Sequence, residues 1–153
     1  MSPRKGVALV TGAAQGIGRC IALRLADDGF DVAVNDVGAN SDKLETLVEE
    51  IRVKGRAGSQ HVADVSQEED VKAMLEQVAE RHAGFDVMVA NAGVTGRPGV
   101  PFTEIPGEEW DRVMSTNARG TFLCYKYAGA QMIKHGRGGR IIGASSIAGK
   151  QGN

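Results

Sequence analysis

The chain has 153 residues, enough for one domain with a core of its own and too few for two. A hydrophobic share of 42% and a charged share of 24% are ordinary for a soluble globular protein. Its 18 Lys and Arg nearly balance 19 Asp and Glu, so no strong field draws it to nucleic acid or to a membrane surface.

Glycine, at 21 residues, has no period, which excludes collagen, and it gathers where segments change character. "GVALVT" is a continuous apolar run, as in a strand buried on both faces of a parallel sheet. It breaks at Gly12 and is too short for a signal peptide or a membrane span. From Gly16 to about Gly29, Ile17, Ile21, Ala22 and Leu25 recur at helical spacing. "DVAVND" is the next strand. Leu44, Leu47, Val48 and Ile51 then form an i, i+3, i+4, i+7 stripe, and that helix runs out near Gly55.

"SQHVADV" is a weaker strand. "SQEE" at Ser66 to Glu69 is a capping-box pattern opening a helix with Val71, Met74, Leu75 and Val78 inward. "FDVMVANAG" is a strand with a glycine turn, followed by a loop to about Gly107 and a long helix from about Glu108 to His135. On that helix Asn117 shares a stripe with Trp110, Val113 and Met114. An amide is thereby aimed at the core, where it must be hydrogen-bonded. "GRIIGAS" is a fifth strand. Five strands separated by four helical segments predict one α/β domain over 1–153, a parallel sheet with right-handed crossovers.

Cys20 and Cys124 fall inside predicted helices and read as small buried hydrophobes of a reducing compartment, without a disulfide. No metal spacing relates them to His61, His82 and His135, and a cytoplasmic protein is the default.

Glycines 12, 16 and 18 in "TGAAQGIG" lie where a strand feeds a helix. Gly12 suits the tight turn, Gly16 lets the backbone approach a pyrophosphate, and Gly18 allows the helix to pack closely. Backbone N–H groups at the helix start would then face the phosphates. The same turn could merely connect two elements; the strand before it and the helix after it favour cofactor binding. Asp36 ends the second strand, placed to accept hydrogen bonds from the ribose hydroxyls of an adenosine, or else to serve as a solvated strand end. A carboxylate there repels a 2′-phosphate, and no Arg or Lys stands within three residues of it, which favours NAD over NADP. Gln15, in place of a basic residue, points the same way. Ser145 and Ser146 follow a buried strand at its C-terminal end, where open α/β sheets bind ligands. A hydroxyl there can hold a substrate carbonyl and steady developing negative charge; by spacing alone both serines are equally turn formers, as are Asn91 and Gly93.

Taken in order, these stretches resemble the motifs of the short-chain dehydrogenase/reductase family. The glycine motif is similar to Thr11–Gly18. The acidic residue near the adenine is similar to Asp64, followed by Val65, and the "NAG" motif to Asn91, Ala92 and Gly93. The helical asparagine is similar to Asn117 in "STNARGTF", and the catalytic serine to Ser146 in "ASSIAG". The resemblance implies a Rossmann-like doubly wound sheet of order 3-2-1-4-5. It implies an NAD(P)-dependent oxidoreductase interconverting a secondary alcohol and a ketone, with no metal. Gly12, Gln15, Gly16, Ile17, Gly18, Asp36, Asp64, Val65, Asn91, Ala92 and Gly93 would hold NAD, Ser146 would polarise the carbonyl, and Asn117 would hold a relay water. Within the family, "VALVTGAAQGIGRCIALRLADDGFDVAVND" and "GRGGRII" are similar to acetoin (diacetyl) reductases and 2,3-butanediol dehydrogenases.

The family's acid–base pair is a Tyr followed four residues later by a Lys on one helical face, where the ammonium lowers the phenol pKa. Four residues after Tyr125 stands Gly129, four after Tyr127 stands Gln131, and both tyrosines precede the serine. The expectation is therefore an incomplete, inactive fragment whose Tyr and Lys belong beyond Asn153. The alternative is a catalytically inactive NAD-binding or regulatory product. Neither favours the family's homo-tetramer or dimer for this chain. "RIIGAS" would be an edge strand with exposed apolar surface, leaving the isolated chain poorly soluble or partly molten.

Overall fold

The computed structural model of the chain describes residues 3–151. Five strands, β1 (Gly6–Val10), β2 (Phe30–Asp36), β3 (Gly58–Val62), β4 (Val87–Ala90) and β5 (Arg140–Gly143), form one sheet of order β3-β2-β1-β4-β5. All neighbours are parallel, with Val10 opposite Val34 on one side and opposite Val89 on the other. This is the parallel sheet that the strand and helix alternation predicts, in the Rossmann-like order that the resemblance implies.

The period-2 alternation of each strand divides its side chains between two cores. On one face Ala8, Val10, Val32 and Val34 pack against Ala22 and Ala26 of α1 (Gly16–Asp27) and Leu44, Leu47, Val48 and Ile51 of α2 (Ser41–Val53). On the other, Val7, Leu9, Ala33 and Met88 meet Val71, Met74, Leu75 and Val78 of α3 (Glu68–Arg81). Leu123, Cys124, Ala128 and Met132 of α5 (Thr121–His135) complete that core. Truncating one of these fully buried leucines, such as Leu47, costs about 2–5 kcal/mol. β5 is an edge strand, and Ile142 on it is half exposed.

Five expectations are corrected. The long helix is not uniform: α4 (Gly107–Met114) passes through a π turn (Ser115–Gly120) into α5. The wide turn carries one residue more than 3.6-residue periodicity allows, so Asn117 and Trp110 do not share a buried stripe; both are exposed. Thr121 Oγ1 donates to the Asn117 carbonyl (2.8 Å), a side-chain bond typical of a locally widened helix. Nor does Ser66 cap α3. Gln67 is the N-cap residue, and Asp70 of the first turn reaches back to accept from the Asp64 N–H at 3.1 Å. Of the two cysteines, Cys124 is buried but Cys20 is exposed, because it lies on the outer face of α1. Ile17, at the same helix's start, is 75% exposed and faces a cleft rather than the core.

Among the described residues, no helix is long and apolar enough to cross a membrane, and no group of three His, Cys, Asp or Glu is placed to hold a metal.

Candidate nucleotide-binding site

The strand order reverses at β1, whose neighbours β2 and β4 lead in opposite directions across the sheet. Loops leaving the C-terminal ends of the strands diverge at such a point and open a crevice. Here the crevice is a cleft of about 700 Å³. All eleven residues expected to hold a cofactor line it: Gly12, Gln15, Gly16, Ile17, Gly18, Asp36, Asp64, Val65, Asn91, Ala92 and Gly93.

Its floor is the turn between β1 and α1. Gly12 (φ +62°) and Gly16 (φ +56°) adopt the left-handed conformation that side chains resist. A Cβ on Gly18 would stand 2.2 Å from the Gly12 carbonyl oxygen and 2.5 Å from Asn91 Nδ2. Gly18 thus lets the helix press onto the turn itself. A Cβ on Gly16 would meet nothing within 4 Å, so that part of the turn faces open space in the cleft.

Side chains from three strands hold this turn. Thr11, fully buried at the end of β1, accepts from the N–H groups of Asn91 (3.0 Å) and Ala92 (3.1 Å) through Oγ1. Asn91 Nδ2 returns the bond to the carbonyls of Thr11 (3.0 Å) and Gly12 (3.3 Å), joining the ends of β1 and β4. Asp36 Oδ2 accepts from the Ala14 N–H (3.1 Å), and Oδ1 accepts from the Val37 N–H (2.9 Å) and Asn40 Nδ2 (2.8 Å). A carboxylate has about four acceptor positions, so these three bonds leave one on Oδ2, on a residue that lines the cleft. Asn35, buried in β2, donates to the carbonyls of His61 and Ala63, both at 3.0 Å, and sets the wall of β3. Asp64 Oδ1 accepts from the Ser66 N–H (2.9 Å) and turns the chain beside Val65.

The two residues expected to be catalytic stand outside the lining. Asn117 spends its amide on the backbone of one residue: Oδ1 accepts from the Val94 N–H and Nδ2 donates to the Val94 carbonyl, both at 2.8 Å. It thereby fixes the loop after Gly93. Ser146 is exposed beyond β5, where its Oγ accepts from the Ala148 N–H (3.2 Å) and caps a short 3₁₀ turn (Ile147–Gly149). Neither tyrosine lines the cleft; Tyr127 donates to Glu68 Oε1 (2.8 Å) on α3.

The cleft also contains residues that the sequence reading missed: Asn35, Val37, Asn40, Ala63, Val94, Arg112 and Thr116. Asn35 had a signal, since it is a polar residue in an apolar strand and must find partners. Asn40 and Arg112 had none; a loop and a distant helix bring them in. Arg112 Nη2 donates to the Thr95 carbonyl (2.8 Å), and its guanidinium holds the Glu109 carboxyl below the usual carboxylate range.

An open parallel sheet with a glycine turn at its switch point defines a Rossmann-like protein of the dinucleotide-fold class. The chain belongs to the short-chain dehydrogenase family, whose model matches residues 6–153. It is 56% identical over 146 residues to a short-chain dehydrogenase/reductase of Armillaria gallica, covering 95% of this chain and 55% of that protein. It is 44% identical over 146 residues to the 3-oxoacyl-[acyl-carrier-protein] reductase FabG of Staphylococcus aureus, covering 95% and 58%. Among solved structures it superposes on an NAD⁺-bound xylitol dehydrogenase with a TM-score of 0.92 at 33% identity, covering 100% of this chain and 57% of that one. The chain thus spans a little over half the length of the relatives it matches.

Proposed function

We propose that this chain forms the nucleotide-binding part of an NAD-dependent oxidoreductase that interconverts a secondary alcohol and a ketone, with acetoin and diacetyl as the model substrate class. One observation carries the reading: a single cleft gathers the glycine turn, Asp36, the Asp64–Val65 turn and the Asn91–Gly93 turn. The residues fit the cofactor. Gly16 leaves open space where a side chain would stand, and Asp36, which lines the cleft, keeps one acceptor position after three bonds to the protein. The glycine turn and the start of α1 would hold the pyrophosphate, Asp36 a ribose hydroxyl, and Val65 the adenine.

When bound, NAD supplies or takes up the hydride exchanged with the carbinol carbon. Ser146 would donate a hydrogen bond to the substrate oxygen and steady its negative charge. Asn117 would act by holding the Val94 backbone, and with it the loop beside the nicotinamide end. A second reading, NAD binding without turnover, is favoured by one observation: both tyrosines lie away from the cleft, so neither is placed to move the proton.

The test is calorimetric titration with NADH and NADPH. NADH should bind the tighter, and Asp36→Ala should weaken it by about tenfold, the cost of one charge-assisted hydrogen bond, and abolish the preference. Equal binding of both nucleotides by the unaltered chain, or binding of neither, would overturn the reading. NADH oxidation by diacetyl tests the substrate class, and absence of turnover with retained binding would select the second reading.

A further inference from the structure

Asp64 and Val65 form one wall of the cleft, in a turn that lies beyond the end of β3 at Val62. Besides the bond from the Asp64 N–H to Asp70 of α3, the turn from Asp64 to Ser66 is held from the π turn. Arg119 Nη1 donates to the Ser66 carbonyl, and Nη2 lies 3.5 Å from Glu68 Oε2. Next to it, Gly120 presses on the same turn: a Cβ there would stand 2.9 Å from Val65 Cγ2 and 3.2 Å from the Val65 carbonyl oxygen. Glu68 is anchored in turn from α5, accepting from Lys126 Nζ (2.7 Å) and the Tyr127 hydroxyl (2.8 Å). These two donors, together with Arg119, hold its carboxyl below the usual range. Arg119 is not among the residues lining the cleft.

We propose that Arg119 is a positioning residue for adenine recognition, holding the Asp64–Val65 wall at its distance from the glycine turn through Ser66 and Glu68. The inference rests on the reading of the cleft as a dinucleotide site. It predicts an asymmetry between the two ends of the ligand. The adenine end depends on the Asp64–Val65 wall. The pyrophosphate end depends on the glycine turn, which is tied to Asn91 and Asp36 and has no bond to Arg119. The π turn is what allows this. By carrying an extra residue, it brings Arg119 and Gly120 against the β3–α3 turn while Asn117 still reaches Val94.

The experiment measures binding of 5′-AMP and, separately, of inorganic pyrophosphate to the wild-type chain and to Arg119→Ala, Arg119→Lys and Glu68→Gln. Arg119→Ala should weaken AMP by about five- to tenfold, as expected for a half-exposed guanidinium making one carbonyl bond and one ion pair, and leave pyrophosphate unchanged. Arg119→Lys, which can still reach the Ser66 carbonyl, should recover most of the loss. Glu68→Gln should weaken AMP by about two- to threefold without touching pyrophosphate, and it decides the matter if Arg119→Ala does not fold. Wild-type AMP affinity in Arg119→Ala, or equal losses for both probes, would overturn the inference alone. A wild-type chain that bound neither probe would overturn the dinucleotide reading, and the inference with it.

Discussion

Lowering the pH from 7.5 to 5 should weaken the fold through one buried cluster. Ser59 Oγ lies 3.0 Å from His61 Nε2 and 2.8 Å from His82 Nε2, and all three residues are buried. A serine hydroxyl carries one proton, so it donates to one ring and must accept from the other. That arrangement suits two neutral imidazoles. Protonating the acceptor ring removes its lone pair and buries a charge. Burial accordingly holds His61 down from 6.5 to about 4, with His82 and Arg81 adding repulsion against a favourable bond from Gln77. Burial lowers His82 as well, opposed by Asp31. In the unfolded chain both rings titrate near 6.5. Between that value and the folded value, the unfolded chain binds more protons. Stability is therefore full above pH 6.5 and is lost as the pH falls toward 4. At about 1.4 kcal/mol per pH unit, His61 alone removes roughly 2 kcal/mol by pH 5, and His82 adds loss of the same sign.

Urea midpoints at pH 7.5, 6.5, 5.5 and 5 measure this directly. Glu68 and Glu109, whose carboxyls are held below the usual range, lose their contribution only at lower pH, so the window isolates the imidazoles. His61→Gln should flatten the profile even where it lowers stability at pH 7.5. A wild-type midpoint that does not move between pH 7.5 and 5 would refute the reasoning.

Gly18→Ala forces a methyl into the Gly12 backbone and should cost about 3 kcal/mol, a fall in Tm of roughly 6–12 °C. Gly16→Ala meets open space and should cost only about 1 kcal/mol of backbone strain, so melting curves that rank the two the other way would contradict the packing described. Burial pushes the Cys124 thiol up to about 12, while Cys20 is exposed. A thiol reagent at pH 8 should therefore titrate one cysteine in the native chain and both in urea; two fast-reacting thiols would show that α5 is not seated on the sheet.

What was legible in the sequence was whatever depends on near neighbours along the chain. The unbroken apolar run of β1 and the stripe at Leu44, Leu47, Val48 and Ile51 announce a buried strand and an amphipathic helix, because burial repeats with the geometry of each element. The glycine turn was legible for the same reason, since left-handed conformations at Gly12 and Gly16 are a local demand. From these the parallel α/β class followed, whereas the eleven cleft-lining residues named in advance came from the resemblance to the family's motifs.

What tertiary structure alone decided were the places where a distant segment competes for a local group. Asn117 was misaimed because a uniform 3.6-residue period was assumed across a helix that contact with Val65 and Ser66 accompanies with a π turn. Ser66 lost its capping role because Asp64 and Asp70 tie the turn together instead. Asn40 and Arg112 entered the cleft, and Cys20 left the core, through the packing of elements rather than their own pattern. Periodicity records which face of an element is apolar. It does not record which partner will meet that face, and the partners set the walls of the site.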